Sequence, residues 1–332
     1  MRISVNFSML ELGNLKLKSN LILAPMAGVT DLPFRVLNRS FGAHLAFIEM
    51  LNCRSIGHKS IRTMEMLRSQ ECDRPLGVQL LGTEEKYLLR ALDILAPYNF
   101  DLLDFNAACP AKKVVRRGEG SALLREPKKL QRLLSLLVKN ASWPVTVKIR
   151  TGWDSSFVNA ERVAHLAEDS GVKGIFIHGR TRLGGYSSMV DYNTIRHVKK
   201  KVKIPVIASG NILSGELAKK MFTETGCDGI VVARGSLGNP WIFKEISLFL
   251  KGGMVKRPSL KEIVSVMSRH LEANVAFYGE ERGVLLFRKF FVWYTKGFRN
   301  IRPLRQRAFR TKTMEEIEGL IREILTKNPL NL

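Results

Sequence analysis

Cysteine is scarce in this chain and never closely paired: Cys53, Cys72, Cys109 and Cys227 stand far apart, with no Cys-x-x-Cys spacing. That pattern argues against a zinc site, predicts free thiols and no metal, and fits a reducing compartment. Long hydrophobic runs are also missing. No stretch approaches the roughly 18 apolar residues of a membrane span. Met1 to Asn20 carries neither a continuous apolar segment nor a small-residue cleavage signal, so a cytoplasmic protein is expected. There is no internal repeat. Acidic residues are the last shortage: 30 Asp and Glu against 53 Lys and Arg leave a formal charge of +23. Solubility alone favours far smaller values, so a polyanionic partner is implied. Nucleic acid is the first reading, an acidic membrane surface the second, and a generally basic proteome the third.

An apolar fraction of 45% and a charged fraction of 25% are those of an ordinary globular protein. At 332 residues the chain exceeds one usual core. An α/β barrel of roughly 250 residues with an appendage fits. From residue 21 to about 245, short apolar runs alternate with longer amphipathic ones, the mark of repeated βα units. Eight strands are predicted, at Leu21–Pro25, Leu45–Glu49, Leu76–Leu80, Leu102–Asn106, Val145–Ile149, Gly174–His178, Pro205–Ala208 and Gly229–Ala233. Eight units predict a (β/α)8 barrel. Helices are predicted at Glu84–Ala96, with Thr83 as N-cap, and from Pro127 to Lys139, where proline suits the first turn.

Beyond about Leu250 the strand signals stop, and Ser259–Phe277, Val284–Lys296 and Thr313–Lys327 read as helices. Two domains are therefore expected, a barrel over 1–248 and a small helical domain over 249–332. Between Arg282 and Lys312 acidic residues vanish while cations accumulate among Phe287, Phe290, Phe291, Trp293, Tyr294 and Phe298. Such a mixture suits phosphates and stacked bases. For most of these aromatics the core of the domain is the favoured reading.

The polar ends of the predicted strands converge on one face of a barrel, the face where this fold keeps its chemistry: Glu49, Gln79, Asn106, Lys148 with Arg150, His178 with Arg180, Ser209 with Asn211, and Arg234. After the fourth strand, Asn106-Ala-Ala-Cys109-Pro110 sets a thiol at the mouth, as a proton-transferring group or as a small buried hydrophobe. Ser209-Gly210-Asn211 and Ala233-Arg234-Gly235 follow the seventh and eighth strands, where barrels commonly hold a phosphate. Lys148 ends a buried strand and needs either an anionic ligand or a carboxylate such as Glu49 or Asp104 to keep its charge.

Leu23-Ala-Pro-Met-Ala-Gly-Val-Thr-Asp31, Val78-Gln79-Leu80, Asp104-Phe-Asn-Ala-Ala-Cys-Pro-Ala-Lys-Lys-Val114, Val147-Lys-Ile-Arg150, His178-Gly-Arg-Thr181 and Gly238-Asn-Pro-Trp-Ile-Phe243 together resemble the tRNA-dihydrouridine synthase family. Phe287-Arg-Lys-Phe-Phe-Val-Trp-Tyr-Thr-Lys-Gly297 resembles that family's helical RNA-binding domain, and the cysteine motif its B branch. The resemblance covers nearly the whole chain. It implies an FMN enzyme that uses NADPH to reduce the 5,6 double bond of particular uridines in the tRNA D-loop. Carried over, Pro25, Met26 and Ala27 would bed the flavin, and Gln79, Lys148 and His178 would contact it. Ser209, Gly210, Asn211, Ala233 and Arg234 would hold its phosphate, Asn106 would orient flavin or substrate, and Cys109 would be the proton donor. The family often has asparagine where Ser209 stands and glycine where Ala233 stands, and a bulkier residue and glycine where Ala107-Ala108 stand.

Drawing a packed uridine out of its loop requires grip on the backbone, for which Lys112, Lys113, Arg116, Arg117, Arg288, Lys289 and Lys296 are the candidates. Two rival readings are a dihydroorotate-dehydrogenase-like flavoenzyme, against which the basic tail argues, and a non-catalytic RNA-binding protein on a barrel scaffold. Oligomeric state is not written in the sequence, with a monomer the default.

Overall fold

The computed structural model describes residues 9–327; the outer ends of the two expected domains, 1–8 and 328–332, lie outside the described residues. The core of the structure is a parallel barrel of strands β1 (Leu21–Leu23), β2 (Ala46–Phe47), β3 (Leu76–Leu81), β4 (Leu102–Asn106), β5 (Val145–Arg150), β6 (Ile175–His178), β7 (Val206–Ser209) and β8 (Gly229–Val232). They pair in the order β1-β8-β7-β6-β5-β4-β3-β2. Closure runs through single contacts: Leu23 N–H donates to Leu45 O at 2.9 Å and His44 N–H to Leu21 O at 3.1 Å. β2 is shorter than predicted, and a separate two-residue strand, Leu51–Asn52, pairs with β3 instead.

Strand side chains alternate between two faces, and in a barrel the inward face is filled in layers. Leu102, Phe176, Ile207 and Val231 point inward with Ile22 and Phe47, and the Phe47 and Phe176 rings meet edge-on at 5.6 Å. A Cβ at Gly77 would lie 2.3 Å from the Phe47 ring, so only glycine admits that phenylalanine. An antiparallel hairpin absent from the sequence reading, Leu10–Leu12 with Leu15–Leu17, closes the far end by adding Leu10, Leu12 and Leu17 to this core. Outward residues such as Val78, Leu103, Phe105, Val147 and Ile177 meet the helices. Further along the inward row, the same alternation presents Gln79, Asp104 and Thr146, and beyond them Asn106 and Lys148.

The covering helices are α1 (Leu32–Ser40), α2 (Glu85–Leu95), α3 (Pro127–Asn140), α4 (Ala160–Asp169), α5 (Tyr192–Lys201), α6 (Gly215–Thr225) and α7 (Ile242–Leu250). α1 is capped by Asp31, whose carboxylate accepts the Phe34 N–H at 3.0 Å. Thr83 does not cap α2: Glu84 occupies that position and makes no side-chain capping bond. The boundary expected at residue 248 falls near the end of α7.

After α7 the described chain is helical: α8 (Leu260–Tyr278), α9 (Glu280–Tyr294), α10 (Arg302–Ala308) and α11 (Met314–Lys327). Ser259 and Glu262 form a reciprocal capping box at α8. α10 is not predicted by the sequence because its seven residues show too little apolar period. Phe287, Phe290, Phe291 and Tyr294 are buried, so these aromatics form the core of the tail. Phe290 stacks on Phe34 of α1 at 5.6 Å, which docks the tail beside β1 and β2. Gly238 marks a second close approach, since with φ +66° a Cβ there would sit 2.3 Å from the Trp293 carbonyl carbon.

Candidate active site

A cavity of about 400 Å³ opens at the C-terminal end of the strands, within the range of small-molecule sites. Its lining brings together Pro25, Met26 and Ala27 after β1, Gln79 of β3, Asn106 of β4 with Cys109, Lys148 and Arg150 of β5, His178 of β6, Ser209, Gly210 and Asn211 after β7, and Ala233 and Arg234 after β8. Glu49 is not in it. Its carboxylate accepts the Gly28 N–H at 2.5 Å and faces a smaller cleft shared with Lys289.

Below the cavity runs a chain of buried hydrogen bonds. Thr146 Oγ1 and Gln79 Nε2 donate to the two oxygens of Asp104 at 2.8 and 2.7 Å. Asn106 Nδ2 donates to Gln79 Oε1 at 2.8 Å, and Asn106 Oδ1 accepts the backbone N–H groups of Ala108 and Cys109 at 3.0 and 2.8 Å. Because Asp104 can only accept when ionised, it fixes which end of the Gln79 amide faces Asn106. Arg150 Nε donates to Ala108 O at 2.7 Å, while Ser121 N–H and Oγ donate to Cys109 O at 3.1 and 3.0 Å. The cysteine loop is therefore held from below and from both sides. Asn106 positions that loop rather than pointing its oxygen into the cavity. Arg150 was singled out from sequence only as a polar strand end, and Ser121 not at all; their support of the loop is recognisable only once the loop path is known.

Electrostatically the site is cationic. Burial lowers Lys148 to about 8 despite the nearby Asp104, and its ammonium makes no hydrogen bond or ion pair among the described residues. Asp104, rather than Glu49, is the carboxylate that supports it, and burial raises Asp104 to about 6. Burial, with Arg150, Lys148, Arg180 and Arg234 around it, drives His178 down to about 2, so that imidazole is neutral at every working pH. Arg180 NH1 lies 3.2 Å from His178 Nε2, and Arg180 NH2 is buried without a partner. Burial pushes the Cys109 thiol up, against smaller downward effects of Arg150 and Arg117. A protonated thiol beside a positive field is the result.

The far end of the cavity has the chemistry of an anion site. Gly210 has φ +138° and Asn211 φ +51°, and neither backbone N–H donates to any group among the described residues. Arg234 NH2 donates to Asn211 Oδ1 at 3.0 Å, and its guanidinium lies 4.5 Å from the Tyr186 ring. Two free amides beside a fixed guanidinium form a nest for a phosphate. A flat polar heterocycle with a phosphate tail fits this donor set, with Lys148 free to meet negative charge on the ring.

The seven basic candidates differ. Lys112, Lys113, Arg116 and Lys296 are exposed. Arg117 pairs with buried Glu119 at 2.7 Å, Arg288 donates to Thr311 O, and Lys289 donates to Gly28 O, so these three hold loop and tail in place.

Comparison with known proteins identifies the lineage. The family model described as dihydrouridine synthase (Dus) matches residues 22–328. The chain belongs to the dihydrouridine synthase family. It is 37% identical to the tRNA-dihydrouridine synthase B of Pasteurella multocida, over 97% of this chain and 99% of that protein. A probable tRNA-dihydrouridine synthase of Rickettsia conorii is 41% identical over 88% of this chain and 89% of its own length. Among solved structures, a histamine dehydrogenase from Rhizobium sp. 4-9 aligns with a TM-score of 0.58 at 12% identity, covering 80% of this chain and 50% of that one. An old yellow enzyme homologue from Zymomonas mobilis aligns at 0.55 and 13% identity, covering 77% and 95%. At such identities these two report the barrel fold alone. No helix among the described residues is long and apolar enough to cross a membrane.

Proposed function

We propose that this dihydrouridine synthase reduces the C5–C6 double bond of uridine in the tRNA D-loop in the cytoplasm, with FMN bound in the barrel mouth and NADPH as the reductant. The observation that carries the reading is that the Cys109 thiol lines the same cavity as Lys148, His178 and the Gly210–Arg234 nest. Once reduced by NADPH, bound FMN would supply a hydride to C6 of uracil. Negative charge then develops towards C5, and the thiol of Cys109 delivers its proton there, to be reprotonated from solvent. Its raised pKa keeps the proton available at neutral pH.

Pro25, Met26 and Ala27 offer an apolar bed for the ring, Gln79, Lys148 and neutral His178 hydrogen-bonding or charged edges, and Ser209, Gly210, Asn211, Ala233 and Arg234 the phosphate cradle. Asn106 acts through the loop it holds. Lys112, Lys113 and Arg116 flank the cysteine loop, and with Lys296, exposed like them, they would meet RNA phosphates. The helical tail beyond about residue 248 supplies the larger grip.

The test is direct. Purified protein is expected to be yellow, absorbing at about 450 nm as flavins do, and to convert uridine to dihydrouridine in unmodified tRNA when given NADPH, measured by mass spectrometry of nucleosides. Colourless protein unable to take up FMN, yet binding tRNA, would support an RNA-binding scaffold instead.

A further inference from the structure

Three guanidinium–aromatic pairs at the surface are already neutralised or bonded. Arg54 lies over Tyr87 and pairs with Glu84, Arg282 lies over Tyr278 and pairs with Glu65, and Arg68 lies over Phe277 and donates to Phe277 O. One cluster is different. Arg125 and Arg182 both lie over the indole of Trp153, at 4.9 and 4.7 Å from its centroid, and neither guanidinium forms a hydrogen bond or ion pair among the described residues. Asp154 on the same loop accepts from Ser156 N–H, Ser156 Oγ and Phe157 N–H at 3.0, 2.7 and 2.9 Å, and its charge reaches Arg125 without a hydrogen bond or ion pair between them.

The stack is rigid underneath. Arg182 N–H donates to Gly152 O at 2.9 Å and Leu183 N–H to Trp153 O at 3.0 Å, lacing the loops after β5 and β6 together. Arginine stacked on an aromatic keeps its edge donors free and loses little freedom on binding phosphate, so two unpaired guanidiniums on one ring form a prepared anion site.

Its position gives it a partner. In the barrel order, β5 lies across from β1, and the tail docks beside β1 and β2 through Phe34–Phe290 and Arg282–Glu65. A nucleotide drawn into the central cavity must have chain leaving it on both sides. The tail serves one side. Resting on the tRNA reading above, we propose that Arg125 and Arg182, held on Trp153, clamp the RNA backbone phosphates on the opposite rim of the barrel mouth.

Neutralising two phosphates of a strand adds about 0.7 each to the salt slope. Equilibrium binding of unmodified tRNA to the full chain, titrated from about 50 to about 200 mM salt, is therefore expected to lose about 1.4 from its slope in R125Q/R182Q, with roughly tenfold weaker binding at about 0.15 M. Trp153→Phe is expected to retain the wild-type slope and Trp153→Leu to lose part of it, a split that loss of charge alone does not give. Lys139→Gln with Lys200→Gln removes two exposed charges near the far end of the barrel as a matched control. An equal drop in both double variants, or no drop in either, overturns the clamp. Failure of the wild-type chain to bind tRNA at all would overturn the proposed function and the clamp with it, whereas normal binding with an unchanged R125Q/R182Q slope overturns the clamp alone.

Discussion

The side-chain oxygen of Asn106 accepts the backbone N–H of Cys109 at 2.8 Å, so the residue ending β4 sets the direction in which the thiol leaves the loop. Asn106→Ala leaves two loop amides and the Gln79 oxygen without partners, and an unmet buried polar group costs about 1–3 kcal/mol. We expect thermal unfolding to show a loss of about 2 kcal/mol, with a much larger proportional loss of dihydrouridine formation than of flavin retention. An unaltered product yield would mean that the loop keeps its geometry without this bond.

Asp104 and Lys148 support one another at the floor of the cavity. Removing one partner strands a buried charge, while removing both does not. Asp104→Asn and Lys148→Met are each expected to destabilise the protein, and the double variant to recover with a coupling of about 1–3 kcal/mol in denaturant unfolding. Additive losses would contradict the electrostatic coupling of the two groups. Lys148 also gives a pH signature. With its pKa lowered to about 8, the charge is present below that value and is lost as pH rises through it. FMN affinity is therefore expected to fall above about pH 8 in the wild type but not in Lys148→Met.

His178 makes the opposite prediction. Burial and four surrounding cations hold it at about 2, so its imidazole stays neutral, with a single ring N–H, between pH 5 and 9. Its ring resonances in NMR should stay constant over that range. A titration near the ordinary histidine value of about 6.5 would show that solvent reaches the ring.

Much of this site was legible in the sequence because a strand alternates with period two and the barrel gathers every strand end on one face. Gln79, Asn106, Lys148 and His178 follow from that rule, as do the loops after β7 and β8. Glu49 shows its limit: it lies beyond the short β2, where the pairing passes to Leu51–Asn52, and it turns towards the tail. The hairpin at Leu10–Leu17 was missed because strands of three residues give too few alternations to read. The Trp153 stack was missed for another reason, since its members come from three loops that meet only after the barrel closes. The basic tail was legible as charge, but not which cations are bonded inside the protein, such as Arg288 to Thr311 O.

Gly238 ties the barrel to the tail. A methyl group there meets the Trp293 backbone and the φ of +66° disfavours any side chain, so Gly238→Ala is expected to loosen α9. Limited proteolysis should then cut the tail while the barrel retains its flavin, and tRNA binding should weaken. Resistance equal to wild type would mean that the contact relaxes without undocking the helix.

In the proposed reaction one thiol, that of Cys109, delivers the proton. Burial raises its pKa, so at saturating FMN activity should persist to higher pH than an ordinary thiol near 8.5 permits and fall only beyond it. The most direct measurement is dihydrouridine formed on unmodified tRNA by Cys109→Ala in the presence of NADPH. The variant is expected to retain FMN and oxidise NADPH but to lose about two to four orders of magnitude in product formation. Product formation at the wild-type rate would contradict it.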